Sequence, residues 1–177
     1  MAHYQVDVAV LGAGQGGLPA AHLAANLGAK VALIERHLMG GDCLNIGCVP
    51  SKGLIRAGRA YAGTREAKKF GIKVPSGTSV NFPEVMERMR LLRAKISAND
   101  SVQRFTNLGI DVFLGEGSFI SRNQVKVDDQ ILEFSKAVIA TGARASAPSI
   151  PGLEEAGYLT NETVFSLTEL PKSLAVI

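Results

Sequence analysis

The sequence predicts an α/β fold in which parallel strands alternate with helices. The chain has 177 residues, of which 46% are hydrophobic and 20% charged, enough apolar material for the core of one soluble domain. Apolar runs at 6–11 and 31–34 have the length of buried strands, and a helical pattern lies between them. A strand, a helix and a second strand within about 30 residues form a right-handed βαβ unit with parallel strands.

Later apolar runs extend this pattern. Residues 40–70 have a mostly helical pattern, and another helix opens at Asn81, where Pro83 suits the first turn. A third strand is predicted at 111–114. We therefore expect a Rossmann-like parallel sheet with helices on one face and an antiparallel β-meander on the other. The short apolar runs that predict the meander and one further strand lie at 119–120, 124–127, 131–134 and 137–140.

Charge is distributed unevenly along the chain. The net charge is +3, but residues 52–104 carry 12 Lys and Arg against 4 Asp and Glu, which is +8. Because Trp is absent and aromatic residues are only 6%, we interpret this segment as a solvated face or a contact for an anionic cofactor, not for nucleic acid. No apolar run approaches the ~20 residues of a membrane span, and the N-terminus has no basic signal-peptide start. A cytoplasmic location without a membrane partner is expected.

A glycine-rich turn follows the first predicted strand. Residues 12–17 read Gly-Ala-Gly-Gln-Gly-Gly, the pattern G-x-G-x-x-G, and Glu35 ends the second strand. Gly12 permits a tight turn, Gly14 lets backbone approach a pyrophosphate, and Gly17 lets the helix pack close to the strand. The helix N-terminus offers N–H groups to phosphates, and Glu35 can accept hydrogen bonds from a ribose diol. In this context the turn predicts a dinucleotide site, not a glycine turn without a ligand.

Both cysteines lie in one short segment. Residues 40–52 read Gly-Gly-Asp-Cys-Leu-Asn-Ile-Gly-Cys-Val-Pro-Ser-Lys, and the chain has only three histidines, so Cys43 and Cys48 make a poor zinc site. Residues five apart lie on different faces of an ideal helix, so a disulfide needs a distorted turn, which Gly47 would allow. A helix start also stabilises a thiolate. The spacing alone leaves a redox pair and two inert cysteines as alternatives.

The segment 40–52 closely resembles the redox-active segment of the class I pyridine-nucleotide–disulfide oxidoreductases. That family includes glutathione reductase, dihydrolipoamide dehydrogenase and mercuric reductase. The resemblance covers the whole chain: residues 140–143 resemble a second FAD-contacting turn, 150–152 the segment after it, and 115–119 a turn near the adenine. The residues after Cys48 favour the mercuric reductase-like branch, with dihydrolipoamide dehydrogenase and a flavin-free thiol redox module as alternatives.

The resemblance implies an FAD-binding domain of the glutathione reductase type. Cys48 would lie against the flavin as charge-transfer thiol, Cys43 would be the outer thiol that attacks substrate, and Lys52 would stabilise reduced flavin. Asp42 replaces the family's usual threonine. No metal ligand is implied. The residues implied to bind the cofactor are Gly12, Gly14, Gly17, Glu35, Gly41, Asp42, Lys52, Gly117, Thr141 and Gly142.

The resemblance also implies a part of a longer protein. Residues 1–172 would form the FAD-binding domain without its C-terminal return segment, and 173–177 the first strand of a missing NAD(P)-binding domain. Electrons would pass from NAD(P)H through FAD to the cysteines only in that longer protein, so the chain alone would not complete turnover. Surface left open by the missing parts would favour self-association.

Overall fold

The computed structural model describes residues 2–177. The strands are β1 (Ala2–Leu11), β2 (Val31–Glu35), β3 (Asp111–Leu114), β4 (Gly117–Ser121), β5 (Gln124–Val127) and β6 (Gln130–Ile139). The α-helices are α1 (Gly17–Asn26), α2 (Gly41–Asn45), α3 (Cys48–Glu66), α4 (Phe82–Ser97), α5 (Val102–Asn107) and α6 (Leu153–Ala156). Short 3-10 turns lie at Ala67–Phe70, Ala98–Asp100 and Val164–Ser166.

The chain divides into two compact units. The first runs to Asn45 and resumes over Lys95–Arg144, and the second comprises Ile46–Ala94 and Ala145–Ile177. The boundary predicted between residues 172 and 173 falls inside the second unit and stays a prediction. The strand expected at 173–177 does not form: the segment is irregular and exposed. A strand needs a neighbour with which to exchange hydrogen bonds, and no part of residues 2–177 pairs with this segment.

The first unit is built on a six-stranded sheet in the order β3-β2-β1-β6-β5-β4. Strands β3, β2, β1 and β6 are parallel, whereas β5 pairs antiparallel with both β6 and β4. The chain builds β1, β2 and β3 to one side and places β6 on the other side of β1. The sheet therefore has a topological switch point between β1 and β6, which is where open α/β sheets bind ligands.

Apolar residues cover both faces of this sheet. On one face, Leu18 of α1 and Phe105 of α5 pack with core residues of β1 and β2. On the other face, Val125 and Val127 of β5 pack with a cluster that includes Ile34 of β2. The predicted arrangement is confirmed: helices α1 and α5 pack on one face, and the antiparallel meander formed by β4, β5 and β6 packs against the other. Strand β6 belongs to both parts of the sheet, because it pairs parallel with β1 and antiparallel with β5.

Strand β6 corrects the prediction of two separate runs at 131–134 and 137–140. The strand continues through Ser135 and Lys136 because β1 pairs with it along its whole length, from Ala2 opposite Gln130 to Leu11 opposite Ile139. Strand β1 likewise begins before the predicted residue 6. Its first residues are exposed, so they show no apolar pattern.

Asp7 interrupts the apolar run of β1 for a structural reason. Its carboxylate oxygen Oδ2 accepts a hydrogen bond from the Lys30 N–H at 2.7 Å. The Asp7 and Val8 N–H groups in turn donate to the Lys30 carbonyl at 2.8 and 3.2 Å. Asp7 thereby ties β1 to the residue that precedes β2.

The second unit contains α3 and most of α4. A Cβ added to Gly53 would lie 3.4 Å from Cγ of Met89, so this glycine permits close packing of the two helices. Pro50, Met86 and Met89 are buried. The helix predicted over residues 40–70 is instead divided into α2, α3 and a 3-10 turn, with the first break at residues 46–47. Within residues 2–177 we find no helix with the length and apolarity to cross a bilayer.

Candidate nucleotide-binding site and cysteine pair

The turn between β1 and α1 contains glycines that the fold itself requires. Gly12 has φ of +101°, and a Cβ there would overlap the carbonyl oxygen of Ala140, just after β6. A Cβ on Gly17 would overlap the carbonyl oxygen of Gly12. No side-chain rotation relieves an overlap with backbone, so both positions need glycine even without a ligand.

Gly14 differs from these two glycines. A Cβ there would meet only the Cα of Gly41, at 3.5 Å, which is ordinary van der Waals contact, and its φ lies outside the left-handed region. Gly16 is similar, since its Cβ would lie 3.5 Å from the Cβ of Ala140. The fold alone therefore does not explain glycine at position 14. Close approach of a ligand to the backbone, the role that the sequence predicts for Gly14, stays a prediction.

Glu35 ends β2, and backbone groups hold its carboxylate. Oε2 accepts a hydrogen bond from the Ala13 N–H and Oε1 accepts one from the His37 N–H, both at 2.8 Å. Each carboxylate oxygen has two lone pairs, so Glu35 keeps capacity for a ligand hydroxyl. Sequence reasoning gave Glu35 a ligand role and missed that it also fixes the glycine turn.

A cavity of about 330 Å³ opens at the carboxyl ends of β1, β2 and β6. It brings together the predicted residues Gly12, Glu35, Gly117, Thr141 and Gly142. Sequence reasoning assigned no role to three charged residues of this lining. Glu116 lies within the turn at 115–119, and Arg36 and Arg144 directly follow Glu35 and the turn at 140–143. The remaining lining residues, these three included, are Leu11, Ile34, Arg36, Gly115, Glu116, Ala143 and Arg144.

The segment before α2 lies against the glycine turn. The Gly40 N–H donates to the Ala13 carbonyl at 2.8 Å. Gly41 has φ of +57°, and a Cβ there would lie 2.6 Å from the Cα of Gly14, so these two backbones are in contact. Asp42 is exposed in the first turn of α2, where a carboxylate interacts favourably with the helix dipole. Gly41 is thus brought to the turn.

The two cysteines lie on separate helices. Cys43, in α2, is half-buried, and Cys48, the first residue of α3, is exposed; both are thiols in this structure. The helix is interrupted at residues 46–47, as a disulfide between cysteines five residues apart requires. The pairing of Cys43 with Cys48 stays a prediction. Lys52 is exposed one helical turn after Cys48, with no carboxylate within 4 Å among residues 2–177. Neither cysteine nor Lys52 lines the cavity.

The sheet, the glycine turn and the acidic end of β2 define a Rossmann-type nucleotide-binding domain. The family model for pyridine nucleotide-disulphide oxidoreductases matches residues 6–177. The chain therefore belongs to this family of FAD-binding oxidoreductases, and the resemblance seen in the sequence is confirmed.

Curated relatives carry two different names. The chain is 34% identical over 175 residues to a mercuric reductase of Bacillus cereus and 38% identical over 178 residues to a dihydrolipoyl dehydrogenase of Bacillus subtilis (strain 168). These alignments cover 99% and 98% of this chain but only 28% and 37% of the relatives. The chain thus spans about a third of their length.

Alanine substitutions in the glycine turn should distinguish the glycines that the fold requires from those that it does not. Gly17→Ala should lower the free energy of unfolding by about 3 kcal/mol or more, because its Cβ overlaps backbone. Gly14→Ala and Gly16→Ala should each change it by less than about 1 kcal/mol. Urea unfolding of the ligand-free chain, followed by circular dichroism, measures all three. Equal midpoints for the three variants would contradict this division.

Proposed function

We propose that this chain is the FAD- and cysteine-bearing part of a mercuric reductase-like flavoprotein disulfide oxidoreductase. The observation that carries the proposal is Gly14, a glycine without a folding requirement that adjoins the redox segment at Gly41. A dinucleotide whose diphosphate approaches Gly14 supplies the missing reason for that glycine. Membership of an FAD-binding family supports FAD as that dinucleotide.

The residues around the turn fit FAD in charge and hydrogen bonding. Helix α1 has no side-chain cap and no acidic residue in its first turn. The Leu18 N–H donates to the Gly14 carbonyl and Pro19 has no N–H, so the Gly17 N–H is the first-turn group left for phosphate oxygens. Glu35 can accept a ribose hydroxyl, and its negative charge disfavours a 2′-phosphate. The cavity has backbone at Gly117, Thr141 and Gly142 to contact the adenosine end. Gly12 and Gly17 shape the turn.

The cysteines and Lys52 would carry the redox step. FAD, when bound, supplies two-electron chemistry between nicotinamide and thiols. In the longer protein, NAD(P)H and one proton would reduce a Cys43–Cys48 disulfide to two thiols, giving NAD(P)⁺. Cys48 would hold a thiolate that the Lys52 ammonium and the start of α3 stabilise. Cys43 would attack the substrate. Asp42 and Gly41 would shape the segment that presents it.

A dihydrolipoyl dehydrogenase is the second candidate, because relatives with that name are as similar to this chain as the mercuric reductases. The two candidates share the cysteine pair and differ in substrate and in the direction of electron flow. Mercuric ion would accept two electrons that come from NAD(P)H, whereas dihydrolipoamide would reduce the Cys43–Cys48 disulfide and its electrons would pass through FAD to NAD(P)⁺. We expect NAD(P)H oxidation by the longer protein with mercuric ion. Activity with dihydrolipoamide and none with mercuric ion would assign it to the second candidate.

Titration with FAD tests the binding site directly. The wild-type chain should acquire the visible absorption spectrum of protein-bound flavin. Gly14→Ala should weaken binding at least about tenfold, because its Cβ occupies the space of the approaching diphosphate. Gly63→Ala, late in α3, is the control, since a Cβ there meets no atom outside its own helix within 4 Å and the residue lies outside the glycine turn, and it should bind like wild type. A folded wild-type chain that binds no flavin would contradict the proposal for residues 1–177, and equal affinities would remove the role of Gly14.

A thiol substitution tests the role of Cys48. In the longer protein reduced by two electrons, the long-wavelength absorption from thiolate to flavin should disappear in Cys48→Ser. Cys43→Ser is the control and should keep this band, because Cys48 would remain to donate. Persistence of the band in Cys48→Ser would show that another group is the donor.

A further inference from the structure

We infer that Asn45 is a positioning residue that couples nucleotide binding at the glycine turn to the reactivity of Cys43. The inference rests on the proposed function, since it takes the glycine turn as the diphosphate site. Asn45 lies two residues after Cys43 at the end of α2.

The side-chain amide nitrogen of Asn45 ties the last residue of α2 to the segment that leads into this helix. Nδ2 donates to the Met39 carbonyl at 3.0 Å and to the Gly41 carbonyl at 2.9 Å. Both N–H groups of the carboxamide are thereby used, one on a carbonyl that precedes the helix and one on the carbonyl of its first residue. Beneath them, Leu44 is buried and packs so closely on Gly40 that a Cβ there would overlap its side chain. Segment and helix are thus fixed to each other on two sides.

The same segment is joined to the glycine turn by backbone alone. Gly40 donates to the Ala13 carbonyl, and Ala13 donates to Glu35, so the peptides on both sides of Ala13 are held. Gly41 then contacts the Cα of Gly14. Backbone contacts of this kind cannot relax by a change of rotamer, so a displacement of Gly14 must displace Gly41.

These contacts form a path from Gly14 to Gly41, the first residue of α2, and through Asn45 to the other end of the short helix that carries Cys43. A diphosphate at Gly14 would restrain Gly41, and Asn45, bound to the carbonyls of Met39 and Gly41, would extend this restraint over the whole helix. The coupling is reciprocal: loosening α2 must weaken diphosphate binding by the factor by which binding tightens α2. Asn45 acts on Cys43 through the backbone and has no contact with the diphosphate in this scheme.

Alkylation of Cys43 by iodoacetamide, with and without ADP, measures this coupling. ADP carries the diphosphate but lacks the flavin ring, so it reports on the turn without the ring beside the cysteines. Peptide mass spectrometry gives separate rates for Cys43 and for Cys48, which belongs to the second unit and serves as the internal reference. In wild type, saturating ADP should slow Cys43 about fivefold and leave Cys48 unchanged.

Asn45→Ala should abolish this coupling. Without ADP, Cys43 should react about tenfold faster, because two hydrogen bonds that hold the segment are lost. ADP affinity should fall, and the protection of Cys43 by ADP should approach onefold, a change that a purely structural role of Asn45 does not predict. Asn107→Ala, at the exposed end of α5, is the control and should behave like wild type. Asn45→Ser keeps one hydroxyl donor and should give intermediate values.

Wild-type Cys43 rates and wild-type ADP affinity in a folded Asn45→Ala or Asn45→Ser variant would overturn the inference. The serine variant decides the question if the alanine variant does not fold, as judged by circular dichroism and a raised Cys48 rate. A wild-type chain that binds neither ADP nor FAD would overturn the proposed function and the coupling together. Binding without a difference between wild type and Asn45→Ala would overturn the coupling alone.

Discussion

At the end of β1, the backbone of the glycine turn is in contact with the peptide that follows β6 and with the start of α2. Gly12 lies against the peptide after β6, Gly17 against the carbonyl of Gly12, and Gly41 against Gly14. Parallel strands and α1 can approach this closely only where side chains are absent. The cavity at the switch point follows from this closeness, because the strand ends are held together and the loops beyond them surround open space.

Glu35 sets the distribution of charge at the same site. Its two hydrogen bonds from Ala13 and His37 fix a negative charge beside a turn whose Gly17 N–H group suits an anion. A negative charge and an anion-binding turn are compatible because they contact different parts of a dinucleotide. The carboxylate would bind hydroxyls, and the helix N-terminus would bind phosphates. The proposed FAD carries both groups, so it would satisfy the carboxylate and the helix N-terminus together.

Much of this could be predicted from the sequence. Strands β3 and β5 have the predicted bounds because turn residues border short apolar runs, and the glycine fingerprint was interpretable because a strand and a helix surround it. Prediction failed for β6, where Ser135 and Lys136 lie within a strand that is defined by pairing and not by apolarity. Asn45 was also missed, since hydrogen bonds from a side chain to nearby carbonyls leave no periodic pattern. Contacts between distant backbones, such as Gly14 with Gly41, have no sequence signature.

The difference between Gly14 and its neighbours has a consequence for the fate of variants in a cell. Proteases and chaperones recognise chains by the fraction that is unfolded, and a loss of one or two kcal/mol can change abundance several-fold. Mutation at Gly12 or Gly17 disturbs folding, so the product would be removed. Mutation of Gly14 to alanine, whose Cβ would make only an ordinary contact, would leave the ligand-free fold intact and would escape that surveillance. Such a protein would accumulate at normal levels without its cofactor and would compete with the intact form for any shared partner.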